Sequence, residues 1–182
     1  MFTTIVITRP TFSCDEAEQA ARLLRHGDAG LLHIRKPHSC AEETEELVRQ
    51  LAEEWHDRLV LHDHFHLAQR YNLHGVHLNS RNPLPPEGWH GTVSRSCHSL
   101  EEVTAFKDRC DYVSLSPIFD SVTKQGYHSA FSREVIAEAV ADGIIDSKVY
   151  ALGGVRFSML DTVKKMGFGG AMILGDAWVA YG

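Results

Sequence analysis

Polar residues in this 182-residue chain gather at or just after short apolar runs. His33, Arg35 and Lys36 follow one run, and His62, Asp63 and His64 another. His77, Asn79 and Asn82 belong to a third, Ser94, Ser96 and His98 to a fourth, and Ser116, Ser121, Thr123 and Lys124 to a fifth. Arg35 and Lys124 are cations of the kind that clamp a phosphate or diphosphate leaving group. Asp63 suits Mg²⁺, which keeps several waters and takes only one or two protein carboxylates. Two glycine-bearing turns, Leu152-Gly153-Gly154-Val155 and Ile173-Leu174-Gly175-Asp176, let backbone N–H groups approach an oxyanion, the second where a short helix begins. Each feature has a plainer reading alone: a surface ion pair for Arg35, a loop charge for Lys124, a tight turn for Gly153-Gly154. Their joint placement favours phosphate chemistry.

Histidine is unusually frequent, at 12 residues. His62, His64 and His66 alternate as ligands on one strand would. However, Phe65-His66-Leu67-Ala68 reads as a helix start, which breaks that alternation and argues against zinc. His74 and His77 flank Gly75 and read as packing or hydrogen-bonding residues. The histidines are therefore not expected to form a metal cluster.

These side chains need a frame. Eight apolar runs rich in Val, Ile and Leu recur, at 4–7, 31–34, 59–61, 76–78, 92–96, 112–115, 149–152 and 171–174. Helical patterns lie between most of them: 14–24, a stretch after Ser39 with Leu47, Val48 and Leu51 on one face, a short one from Phe65, 132–141 and 158–166. Ser99 and Glu102 form a capping-box pair for another. Residues 79–91, with Pro83, Pro85, Pro86 and Gly88, leave room for a loop or a single turn rather than a full helix. Short buried runs alternating with helices predict parallel βαβ units. Eight units of about 23 residues fit a closed, compact (β/α)₈ TIM barrel of the α/β class, well below the usual size of ~250 residues. Its fourth helix and its C-terminal helix are expected to be shortened. An open doubly wound sheet is the alternative, disfavoured because Thr8-Arg9-Pro10-Thr11 lacks a glycine fingerprint. One domain spanning 1–182 is expected.

Composition narrows the class further. Eighteen basic against 24 acidic residues give a net charge of −6 with no basic cluster, which disfavours nucleic acid and anionic membranes as partners. No run approaches the roughly 18 apolar residues of a membrane span, and the first residues lack a signal-peptide pattern. Four cysteines without a C-x-x-C pair suggest reduced thiols in a cytoplasmic protein. Self-association is left open.

Four segments, in order, resemble one family. LHDHFHLAQRYNLHGVHLNSRN (61–82), VSRSCHSLEEV (93–103), CDYVSLSPIFDSVTK (110–124) and VYALGGV (149–155) are similar to the signature stretches of the thiamine-phosphate synthase/TenI family. The resemblance covers residues 4–179. It implies a (β/α)₈ barrel that joins an aminopyrimidine methyl diphosphate to a thiazole phosphate, releasing diphosphate with Mg²⁺. By this resemblance Arg35, Ser96 and Lys124 contact diphosphate, Asp63 holds Mg²⁺, and Thr123 and Gly154 hold the thiazole phosphate. His33, Ser121 and Leu174 fall among the substrate-binding positions.

Departures from the pattern accompany it. Pro37 replaces a lysine, for which Lys36 is the nearest substitute, and His62 stands in place of an asparagine. Asn82 replaces the second Mg²⁺ aspartate, and Arg81 lies close by to compensate. Ser121 replaces a threonine, and Gly175 a serine whose backbone amide it keeps. Pro117 occupies the position of the histidine used by tautomerase-type members, which favours the synthase side. A TenI-like enzyme acting on a thiazole or pyrimidine phosphate, or a regulatory paralogue that binds a phosphate ligand, are the alternatives.

Overall fold

The computed structural model describes residues 2–119 and 131–179. Eight parallel strands close into a barrel in sequence order: β1 (Thr3–Ile7), β2 (Leu31–Ile34), β3 (Leu59–Leu61), β4 (Gly75–Leu78), β5 (Thr92–Cys97), β6 (Tyr112–Leu115), β7 (Val149–Ala151) and β8 (Gly170–Ile173). Closure comes from β1 pairing with β8, Thr4 opposite Ala171 and Val6 opposite Ile173. The eight runs expected from sequence are these strands.

Helices cover the outside: α1 (Glu16–His26), α2 (Ala41–Trp55), α3 (Phe65–Arg70), α4 (Leu100–Phe106), α5 (Arg133–Ala141), α6 (Leu160–Lys165) and α7 (Gly175–Val179). Their starts follow local chemistry. Ser99 accepts from the Glu102 backbone N–H at 3.2 Å, as its spacing predicts. Ahead of α2 the cap falls on Cys40, whose N–H donates to Glu43, one residue later than a Ser39–Glu42 start. The Ser39 hydroxyl is engaged elsewhere, with the Lys36 carbonyl and the Thr44 hydroxyl. Among the described residues no helix lies between β4 and β5, so the shortened fourth helix is replaced by turns. Pro83, Pro85 and Pro86 lack the N–H groups a helix needs. Trp89 packs against the core there instead, its indole N–H donating to the Thr92 carbonyl.

Two apolar layers result. Between strands and helices lies the main core, including Val6, Leu32, Leu61, Val76, Val113 and Ile173. Inside the barrel Ile5, Ile7, Met172, Tyr112 and Tyr150 pack together. Gly170 makes room for this second layer, since a Cβ there would lie 2.8 Å from the Tyr150 ring. The remainder of the interior is polar, and parallel register lines it up. His77 lies opposite Ser94 and Ser94 opposite Tyr112, while Ser96 lies opposite Ser114.

The five-residue α7 is anchored at its far end. The Trp178 indole N–H donates to the Ile7 carbonyl at 2.8 Å, and Arg9 donates to the Trp178 carbonyl at 2.9 Å.

Candidate functional site

The residues that follow the strands converge on one barrel end. Arg35 leaves β2 with its backbone N–H held by the Thr8 hydroxyl at 2.9 Å. Its half-buried guanidinium has no hydrogen-bond partner among the described residues. Burial and the charge of Arg81 both lower its affinity for a proton, and the carboxylate of Asp63 opposes them, so the three groups share one neighbourhood.

Asp63, just past β3, is ringed by N–H donors. Arg81 presents Nε and Nη2 to its carboxylate at 3.0–3.2 Å, and the Asn82 amide donates to Oδ1 at 2.9 Å. That amide also donates to the His62 carbonyl at 3.1 Å. Both of its neighbours are acceptors, so its NH₂ must face them. Asn79 builds the turn that carries this arrangement: its Oδ1 accepts from the backbone N–H groups of Arg81 and Asn82, and its amide donates to the His62 carbonyl. Two guanidiniums and one carboxylate leave a net positive place at the mouth, suited to an anion.

Mg²⁺ was expected at Asp63 and Asn82, and in this conformation both side chains are engaged with protein groups. A hard cation takes oxygen donors in near-octahedral array. Here Asn82 offers N–H groups, and the one carboxylate already holds a guanidinium.

Lys36 also departs from expectation. It is 2% exposed, and its ammonium donates to both oxygens of Glu16 at 2.6–2.7 Å and to the carbonyls of Arg9 and Thr11. Its three N–H bonds are committed to the β1–α1 connection, so it cannot replace the lysine lost at Pro37. Burial pushes Glu16 up and Lys36 down, and the pairing of the two opposes both shifts.

The histidines at or just after the apolar runs lie mostly inside the barrel. His33 and His77 are fully buried and His62 nearly so, which removes His33 and His62 from direct substrate contact in this conformation. His33 Nδ1 lies 2.9 Å from His62 Nε2, and His33 Nε2 lies 2.8 Å from the Tyr112 hydroxyl. His77 bridges Ser94 and Ser96 at 2.8 and 2.9 Å. Burial holds the His77 imidazole down to about 3, and lowers His33 and His62 well below the usual range. All three rings are neutral at neutral pH. Ser96 is thus tied inward to His77 while remaining half-buried at the mouth. His98 is exposed and contacts Ser116.

Across the barrel, Gly153 and Gly154 follow β7 with φ of +92° and +66°, a left-handed pair that only glycine adopts freely. A Cβ on Gly153 would meet the Pro117 backbone at 2.7 Å. The Phe119 N–H donates to the Gly153 carbonyl, joining the β6 and β7 ends. Leu174 and Gly175 follow the neighbouring β8, and Asp176 accepts from the Phe157 N–H to tie the two connections together. Ser121, Thr123 and Lys124 lie outside the described residues.

Sequence reasoning missed the grouping of His33, His62 and His77, and the partner of Lys36. A usable signal existed for the first. Polar side chains at inward positions of four adjacent strands must meet at the barrel axis.

Comparisons with known proteins agree on one family. A family model described as thiamine monophosphate synthase matches residues 4–175. The thiamine-phosphate synthase of Dictyoglomus thermophilum is 30% identical over 66% of this chain, and the match spans only 56% of that relative. Its counterpart from Thermus thermophilus is 27% identical over 90% of this chain and 82% of its own length. The crystal structure of thiamine phosphate pyrophosphorylase from Bacteroides thetaiotaomicron superposes with a TM-score of 0.87 at 42% identity, covering 100% of this chain and 87% of that one.

Proposed function

The chain belongs to the thiamine monophosphate synthase family, and on that premise we propose that it is a transferase of thiamine biosynthesis. It joins an aminopyrimidine methyl diphosphate to a thiazole phosphate, giving thiamine phosphate and free diphosphate. The observation that carries this reading is the anion-receptive mouth: Arg35 without a hydrogen-bond partner among the described residues, beside the Arg81–Asp63 fork.

The chemistry asks for such a place. Ionising the C–O bond puts negative charge on the departing diphosphate, and fixed cations lower that barrier. We assign this charge to Arg35 and Arg81 rather than to Mg²⁺, with Lys124 completing the set. The half-buried Ser96 hydroxyl supplies a further donor at the mouth. The aminopyrimidine stabilises the cation left behind, and holding the thiazole nitrogen close supplies much of the remaining acceleration. The left-handed Gly153-Gly154 turn, with Gly175 on the adjacent connection, receives the thiazole phosphate, assisted by Thr123 and Ser121.

The substrates are small phosphorylated molecules, and the setting is the cytoplasm. Four unpaired cysteines support a reducing compartment, and no helix among the described residues is long and apolar enough to cross a membrane.

Incubating the protein with both substrates and following thiamine phosphate and diphosphate tests the proposal. Absence of product at high protein concentration overturns it. Retained calorimetric binding of thiazole phosphate in that case favours the phosphate-binding paralogue.

A further inference from the structure

The barrel interior holds a group of ligating side chains that the phosphate site does not use. His33 on β2, His62 just past β3 and His77 on β4 each offer a ring nitrogen, and these nitrogens lie within 4.8 Å of one another. We propose that the three imidazoles form a binding site for one divalent transition-metal ion, Zn²⁺ or Co²⁺ in chemical class, with its open position toward Ser96 and the barrel mouth. This site is independent of the proposed activity.

The donor chemistry differs from that at Asp63. Neutral imidazole nitrogens suit Zn²⁺, Co²⁺ and Ni²⁺, and three histidines with one open position form an established ligand set. The spacing is close to what an ion requires. At metal–nitrogen distances of 2.0–2.1 Å, a tetrahedral ion holds its donors about 3.4 Å apart. His33 Nδ1 and His62 Nε2 already face each other at 2.9 Å, so they need to spread by only about half an ångström. Ring centroids stand 5.1 Å apart for His33–His62 and for His33–His77. The His62–His77 pair is stacked at 4.2 Å with its planes 24° apart, so these two rings must tilt for their in-plane lone pairs to converge.

Outer partners are in place for two of the three rings. A ligating histidine is oriented by a hydrogen bond at its other nitrogen. His33 Nε2 has the Tyr112 hydroxyl, and His77 Nδ1 has the Ser94 hydroxyl. Tyr112 in turn interacts with Ser94, so its proton has somewhere to turn when His33 donates to it. The rings are neutral at neutral pH, as ligands must be. One proton stays on each imidazole, moving to Nε2 of His33, Nδ1 of His62 and Nδ1 of His77. No net proton is released when the ion enters.

Two contacts bear on the open position. His77 Nε2 lies 2.9 Å from the Ser96 hydroxyl, and its turn toward an entering ion would free that hydroxyl at the mouth. The Ser114 hydroxyl, opposite Ser96 in the register, is buried without a partner among the described residues and can receive a water of the ion. The charges of Arg35, Arg81 and Arg95 reach the cluster. They favour an anion that needs no deprotonation, such as a phosphate oxygen, as the fourth ligand.

Dialysis of metal-stripped protein against Co²⁺ or Zn²⁺ tests the site, read by metal analysis and by the visible absorption of the Co²⁺ form. One ion per chain is expected, with the intense bands of four-coordinate Co²⁺. His33→Gln and His62→Asn should each lose the ion. Tyr112→Phe keeps the ligands but removes the partner of His33, and should weaken binding about ten- to a hundredfold. His66→Ala, on the outer surface, should bind as the native chain does. Circular dichroism melts establish which variants are folded, and Tyr112→Phe decides the matter if both ligand variants unfold. No ion on the native chain overturns the proposal. So does unchanged affinity in folded His62→Asn or in Tyr112→Phe, or a loss in His66→Ala, which would mark an external histidine as the ligand.

Discussion

Lys36 and Glu16 form a closed ion pair under the β1–α1 connection, with Nζ 2.6 Å from Oε2 and both side chains 1% exposed. Removing one partner leaves the other charge buried and unpaired, which costs about 3–5 kcal/mol. Lys36→Met is therefore expected to destabilise the protein by that amount in urea unfolding. The double variant Lys36→Met/Glu16→Leu should recover most of the loss. A pair that acted in catalysis would lose turnover without this loss of stability.

Buried neutral histidines make the fold sensitive to acid. The folded pKa of His77 is about 3, below its ordinary 6.5, so the unfolded chain binds the proton more readily. Its contribution to stability is fully present above pH 6.5 and falls away as pH drops toward 3. The slope is about 1.4 kcal/mol per pH unit for each such ring. His33 and His62 shift in the same direction and add to it. Urea midpoints measured between pH 7 and pH 4.5 should fall steeply. His77→Gln, where folded, should flatten the profile.

The barrel and its order were legible because eight apolar runs each needed helical cover, and the Ser99–Glu102 cap was plain from spacing. Lys36 was not legible. Its neighbour in the chain is Arg35, whose guanidinium is free of protein partners among the described residues, and only the return of α1 with Glu16 shows which way the ammonium turns. The histidines misled for a related reason. Spacing along one strand compares His62 with His64 and His66, whereas register across three strands brings His62 to His33 and His77. Arg81 was visible as a nearby charge, but the Asn79 turn that lays it on Asp63 depends on hydrogen bonds between separate strand ends.

Gly153→Ala should be costly in two ways. Its φ of +92° disfavours any side chain, and the new Cβ would sit 2.7 Å from Pro117 Cα. A loss of about 1–3 kcal/mol is expected. Weaker thiazole phosphate binding in calorimetry should accompany it, because the β6 and β7 ends move apart.

Arg81→Met should leave the barrel folded, since Arg81 is largely exposed, and weaken diphosphate binding about tenfold in Mg²⁺-free solution, as loss of a charge-assisted hydrogen bond predicts. Calorimetry with diphosphate checks this. Binding that requires Mg²⁺ and ignores Arg81 would return the leaving-group charge to a metal at Asp63.

In the proposed reaction, fixed guanidiniums at the barrel mouth stabilise the departing diphosphate. The most direct test is kcat/KM for thiamine phosphate formation by the native chain and by Arg35→Met. Removing one such group is predicted to lower kcat/KM about 10²–10³-fold while the melting temperature holds. An Arg35→Met protein that makes thiamine phosphate at the native rate would contradict that role for the guanidinium.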